Sequence, residues 1–186
     1  MNTRSSKMLA FAAVAALALA PSALAKVIKG DDKENVLIGT PQRDLIEGRG
    51  ADDTLRGLGR GDVLRGGPDN DLIYGGRGRD SLRGGPGDDN MRGGARRDSW
   101  LGGRDDDQGT GGRGNDTVNG GSGKDSLKGG PGSDQLFGGA DKQRDTLDGG
   151  PGEDTCVMLE QGAKDELISC EHVFTLPEDV GRGRGT

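Results

Sequence analysis

An all-β solenoid of tandem repeats is the fold class that this sequence predicts, on three observations. Glycine recurs at nine-residue steps from Gly30 to Gly138, an apolar residue stands seven places after each of the glycines from Gly30 to Gly129 except Gly102, and an aspartate stands two places before that apolar residue in all but the first unit. The rest of the composition excludes an ordinary globule. With 38 glycines, 30% hydrophobic and 3% aromatic residues in a chain of 186, there is too little apolar surface to offset the entropy of ordering it. A repeat, a metal or crosslinks must supply what a large core would.

The first 25 residues read as a removable leader for export. Arg4 and Lys7 make a basic start, Met8 to Ala20 is an apolar run, and Ala23-Leu24-Ala25 is a small-x-small cleavage pattern. The run is too short to span a membrane, and no other stretch could do so. Beyond Ala25 the chain carries 23 basic and 31 acidic residues, a net charge of −8. That balance makes nucleic acid a poor partner and cations good ones.

Fourteen units follow, starting at Gly30, Gly39 and so on to Gly138 and Gly149, with a single eleven-residue unit at Gly138. The sixth position is Asp in thirteen of them and Asn35 in the first. The eighth is apolar at Leu37, Ile46, Leu55, Leu64, Ile73, Leu82, Met91, Trp100, Val118, Leu127, Leu136, Leu147 and Cys156. Glycines at positions 1, 2 and 4 let the backbone turn through positive φ. The triplet centred on position 8 then forms a short strand with only the middle side chain inward, so that two units make one coil.

The best units, such as Gly75-Gly-Arg-Gly-Arg-Asp-Ser-Leu-Arg83 and Gly120-Gly-Ser-Gly-Lys-Asp-Ser-Leu-Lys128, follow the pattern G-G-x-G-x-D-x-U-x. Over residues 30 to 157 the chain resembles the hemolysin-type (RTX) calcium-binding repeat family. The resemblance implies a parallel β-roll, a two-sheet solenoid with Ca²⁺ in the turns. It also implies that each ion is held by position-6 aspartates one coil apart and by backbone carbonyls, an oxygen set that suits Ca²⁺. One edge of the roll then carries Asp53, Asp71, Asp89, Asp107 and Asp125, and the other Asp62, Asp80, Asp98, Asp116 and Asp134. Asp44 starts the second row, and Asp145 and Asp154 continue the rows beyond the insertion at Lys142 and Gln143.

Departures from the pattern mark weaker places. The units at 30 and 39 lack the second and fourth glycines, so that Asp31, Lys33, Thr40 and Gln42 read as an N-terminal cap without full sites. Arg60, Arg96, Asp69, Asp105 and Asp141 replace the fourth glycine, and their loops are expected to bind weakly or not at all. Arg56, Arg65, Arg83 and Arg92 at position 9 are expected to face solvent. Trp100 and Gly109 occupy consecutive eighth positions, and the indole is expected to fill the space left by the missing side chain.

After Val157 the period fades, with an echo in Lys164-Asp165-Glu166-Leu167-Ile168. Residues 158–175 read as a C-terminal cap, tied by a disulfide between Cys156 and Cys170, the two cysteines of the chain. Residues 176–186, rich in Gly and Arg, read as a disordered tail. His172 is the single histidine and has no nucleophile motif around it, so no enzyme is expected. The expectation is a monomeric, secreted protein that folds on binding several Ca²⁺ ions and acts as an extracellular binding or structural module. A calcium-dependent adhesive or surface-layer protein, with a cell-surface or polysaccharide partner, is the alternative.

Overall fold

A computed structural model describes residues 25–139, 141–159 and 165–176. The predicted leader, apart from Ala25, and the predicted tail after Leu176 lie outside the described residues. The described chain is all strand and turn. One sheet is formed by β1 (Val27–Lys29), β3 (Leu45–Glu47), β5 (Val63–Arg65), β7 (Ser81–Pro86), β9 (Ser99–Arg104), β11 (Thr117–Ser122), β13 (Gln135–Gly139), β15 (Thr155–Leu159) and β17 (His172–Leu176). The other is formed by β2 (Val36–Ile38), β4 (Thr54–Gly59), β6 (Leu72–Arg77), β8 (Asn90–Ala95), β10 (Gln108–Arg113), β12 (Ser126–Lys128), β14 (Thr146–Asp148) and β16 (Glu166–Ile168).

The chain alternates between the sheets, and each strand pairs in parallel with the strand one coil away. Leu55 stands beside Ile73 and Leu64 beside Leu82, a register of two repeat units. This is the β-roll that the resemblance implies. Its interior is two facing columns of position-8 side chains, from Ile46 to Cys156, each at most 2% exposed. The alternation along each strand makes this possible, since only the middle residue of the triplet turns inward.

Several strands run beyond the expected triplet. The longer ones, such as β6, continue through positions 1 to 3 of the following turn, where Leu58 pairs with Gly76 and Gly59 with Arg77. The turn backbone thus joins the ladder. The C-terminal segment also continues the solenoid: β16 extends one sheet with Leu167 beside Leu147, and β17 extends the other with Val173 beside Cys156. Cys156 and Cys170 form a disulfide, with Cα atoms 5.9 Å apart, so the last core position is linked to the chain between the final two strands.

Trp100 lies across the core from Gly109. A Cβ on Gly109 would stand 2.9 Å from the indole Cζ2, and the Trp100 side chain is buried. The largest residue of one column fills the gap in the other.

Candidate functional site

The turns between strands place the aspartates of position 6 in two rows along the two edges of the roll. Each carboxylate does the same thing: its Oδ1 accepts the backbone N–H of the corresponding residue one coil earlier, which is an aspartate except where Lys26 donates to Asp44 and Asn35 to Asp53. Asp62 Oδ1 takes the Asp44 N–H at 2.8 Å, Asp80 the Asp62 N–H at 2.7 Å, and Asp98 the Asp80 N–H at 2.8 Å. That row runs on through Asp116, Asp134 and Asp154. The other begins where Asn35 donates to Asp53 and passes through Asp71, Asp89, Asp107, Asp125 and Asp145. The insertion at Lys142 is absorbed in the loop, since Asp125 to Asp145 and Asp134 to Asp154 keep the same bond across 20 residues.

These side chains are buried, and their second oxygens are not satisfied. Asp53, Asp62, Asp71, Asp80, Asp89, Asp98, Asp107, Asp116, Asp125, Asp134 and Asp154 are at most 3% exposed, and each has a buried Oδ2 with no hydrogen-bond partner. Backbone oxygen lies nearby. The flank of Gly75 that a side chain would occupy is bounded by Asp80 Oδ2 at 2.7 Å and the Gly93 carbonyl oxygen at 2.6 Å. Glycine is required there because any Cβ would fill the space between the carboxylate and the next coil.

Burial dominates the electrostatics. It pushes the Asp107 carboxyl up to about 8 and those of Asp62, Asp71, Asp98 and Asp125 up to about 7. Asp80, Asp89, Asp134 and Asp145 are pushed up to about 6 by the same cause. The backbone N–H that each accepts works in the opposite direction and is outweighed. Asp53, Asp116 and Asp154 are also raised by burial. Rows of stacked, half-satisfied carboxylates are unfavourable in a protein alone and fit a hard divalent cation. Among the described residues no three acidic, His or Cys side chains converge on one point. A cation site here must therefore draw on pairs of carboxylates and on main-chain oxygen.

The sequence profile of the RTX calcium-binding nonapeptide repeat matches residues 29–64, 56–91, 65–99, 83–118, 110–142 and 129–157. The chain belongs to this RTX repeat family. No curated protein matches it at a significant level. Membership makes it a calcium-binding repeat protein, and the rows of buried aspartates in the turns fit that.

The ends of the RTX rows are closed by groups that the nine-residue pattern does not show. Asp44 Oδ2 accepts both the N–H and the hydroxyl of Thr40, at 2.6 and 2.8 Å. Asn35 takes the Asp31 N–H on Oδ1 and returns a bond from Nδ2 to Asp31 Oδ1. At the other end Asp165 Oδ1 accepts the Asp145 N–H, as a sixth-position aspartate would, and Glu171 Oε2 accepts that of Asp154. Asp165 was visible as the echo of a unit. Glu171 left no such signal, since its spacing from Asp154 falls outside the repeat and its side chain is longer.

The replaced fourth glycines keep a left-handed backbone. Arg60, Asp69, Arg96 and Asp105 have φ between 68° and 83° despite their side chains. The aspartates among them do more, since Asp69 and Asp105 accept the N–H groups of Ala51 and Gly87 one coil earlier, and Asp141 that of Gly123. A further outer row appears at position 5 of the same edge. There Asp52, Asn70, Asp88 and Asp106 each accept the N–H of the fifth residue in the next coil. On the opposite edge Asn115 makes one such bond, to the Ser133 N–H. Sequence reasoning missed both rows. Their signal was a recurrence in every second unit at position 5 and in every fourth unit at position 4, concentrated on one edge.

Proposed function

We propose that this chain is an exported RTX repeat protein that folds on binding Ca²⁺ and serves outside the cell as a binding or structural module rather than as an enzyme. One observation carries the reading: from Asp53 to Asp134, every sixth-position aspartate buries one oxygen with no partner. Asp53, Asp62, Asp71, Asp80, Asp89, Asp98, Asp107, Asp116, Asp125, Asp134, Asp145 and Asp154 are the side-chain ligands, working in pairs one coil apart together with turn carbonyls. Bound Ca²⁺ supplies the positive charge that stacked buried carboxylates need. The aspartates meanwhile hold successive coils in register through Oδ1.

The small core supports the link between binding and folding. Each nonapeptide buries one apolar side chain, which cannot by itself offset the ordering of a whole unit of backbone. The leader through Ala25 directs export, and the calcium of the exterior then completes the fold, in a range of roughly 0.1 to 1 mM for modules of this kind. Among the described residues no helix is long and apolar enough to cross a membrane. His172, the sole histidine, is exposed on β17.

Far-UV circular dichroism of residues 26–186 tests this. At about pH 8, where the ladder carboxyls are charged, coil in EDTA, β-structure on adding millimolar Ca²⁺ and no response to Mg²⁺ are expected, because Mg²⁺ demands a smaller octahedral shell. A chain fully folded in EDTA would overturn the reading.

A further inference from the structure

The two edges of the roll carry opposite charge outside the aspartate rows. In the turn segments 39–43, 57–61, 75–79, 93–97 and 111–115 there are seven arginines and no acidic residue. In the segments of the opposite edge, 30–34, 48–52, 66–70, 84–88 and 102–106, there are eight acids and three basic residues. A nine-residue alignment superposes these edges and averages the difference away. In the folded roll it becomes a basic strip on one side.

The strip has shape as well as charge. Arg43, Arg60, Arg77, Arg79 and Arg96 line a groove of about 970 Å³, floored by backbone at Gly61, Gly78 and Ala95. All five side chains are exposed, and none of them forms a salt bridge among the described residues. The sheet face differs, since there Glu47 pairs with Lys29 at 2.8 Å and with Arg65 at 3.1 Å, and Arg56 lies over the Tyr74 ring. Arg97 and Arg113 continue the strip beyond the groove. Coils repeat at the strand spacing of about 4.8 Å, and each of five successive coils contributes at least one arginine to this edge.

We propose that this arginine edge is a docking site for a linear acidic polysaccharide. Guanidinium groups bind carboxylate and sulfate by paired hydrogen bonds, and a row of them matches a polymer that presents such groups in series. Other polyanions fit less well. The five turn segments contain no aromatic side chain, so the edge offers no platform for stacking nucleic-acid bases. Leu58 is the one large apolar residue on them, too little for insertion into a lipid surface. The acidic edge of a second copy is also a poorer match, since Asp52, Asp88 and Asp106 already hold backbone N–H groups of their own chain. The proposal rests on the calcium reading in one respect: neutralising the ladder carboxylates beneath the arginines leaves the strip strongly positive.

The test uses residues 26–186 in saturating Ca²⁺, a chondroitin sulfate fragment as the probe, and fluorescence anisotropy across a salt series. Arg43→Gln, Arg77→Gln, Arg79→Gln and Arg97→Gln together remove edge charge while sparing the positive-φ residues Arg60 and Arg96. Arg56→Gln, Arg65→Gln, Arg83→Gln and Arg92→Gln remove the same charge from the sheet faces. The edge variant is expected to bind about tenfold more weakly with a shallower salt dependence, and the face variant within about twofold of the parent. Equal losses would reduce the effect to net charge and overturn the proposal. So would absence of binding, tighter binding of an oligothymidine or of phosphatidylserine vesicles, or self-association in sedimentation that the edge variant abolishes. Circular dichroism on the same samples separates the two readings: a chain that folds in Ca²⁺ without binding the polymer sinks the docking site alone, and one that ignores Ca²⁺ sinks the calcium reading.

Discussion

From Asp53 to Asp134 each ladder aspartate leaves one buried oxygen without a partner, whereas at the N-terminal end of the roll protein groups complete the equivalent positions. Thr40 satisfies Asp44 with two bonds and Asp31 and Asn35 satisfy each other, while at the C-terminal end Glu171 meets only the backbone N–H of Asp154, whose Oδ2 stays without a partner. The core follows the same division. The inward residues Ile46 to Cys156 are sealed, while Ile28, Leu37 and Leu167 at the ends are only partly buried. The middle coils thus have full packing and incomplete polar chemistry, and the N-terminal coil has incomplete packing and finished polar chemistry. A repeat stack needs this division, because its ends have no neighbour to supply the next ligand or the next strand.

The largest effect should come from pH in the absence of calcium. Burial raises the ladder carboxyls to about 6 to 8 in the folded roll, above the unfolded value of about 3.9. A raised folded value means that the folded chain holds protons more tightly. Its contribution is therefore fully present below the unfolded value and is lost as pH rises through the folded ones. In EDTA the middle coils should gain β-structure near about pH 5 and lose it near about pH 8. In Ca²⁺ protons compete with the ion, so the calcium midpoint should rise as pH falls. More structure at pH 8 than at pH 5 in EDTA would show that the unpartnered oxygens do not govern the middle of the roll.

A smaller effect tests packing at the irregular place in the middle. Gly109→Leu should destabilise by roughly 1 to 3 kcal/mol through overpacking against the indole, and Trp100→Leu by a comparable amount through the void it leaves. The double variant should recover part of the loss, since the two residues touch. Recovery will be incomplete because a Cβ at Gly109 also meets the Met91 carbonyl oxygen at 2.6 Å, which Trp100→Leu does not relieve. Denaturant titration of the four chains in saturating Ca²⁺ reads this directly, and strict additivity would break the proposed facing of Trp100 and Gly109.

Much of the fold was legible because one period governs both backbone and core. The glycines fix the turns, the sixth-position aspartates fix the rows, and the eighth-position residues fix the columns, including the pairing of Trp100 with Gly109. What the sequence hid lay at a different period. The outer row at Asp52, Asn70, Asp88 and Asp106 and the arginine strip recur once per coil rather than once per unit, and a nine-residue frame overlays one edge on the other. Closure of the last coil by Glu171 was hidden for another reason, since it uses a different spacing and a side chain long enough to reach. At the fourth-position substitutions, Arg60, Asp69, Arg96 and Asp105 keep positive φ, a backbone feature that their residue types did not announce.

The pairing of unpartnered carboxylates one coil apart is tested most directly by counting bound calcium with equilibrium dialysis in the parent, in Asp80→Ala and in Asp44→Ala. Asp80 shares its row with Asp62 and Asp98 and has a free buried oxygen, whereas the corresponding oxygen of Asp44 is taken by Thr40. The expected result is that Asp80→Ala loses only the ions it shares with those two neighbours, leaving the opposite row of Asp71 and Asp89 loaded, and that Asp44→Ala loses none. Equal losses in the two variants, or no loss in Asp80→Ala, would contradict the account.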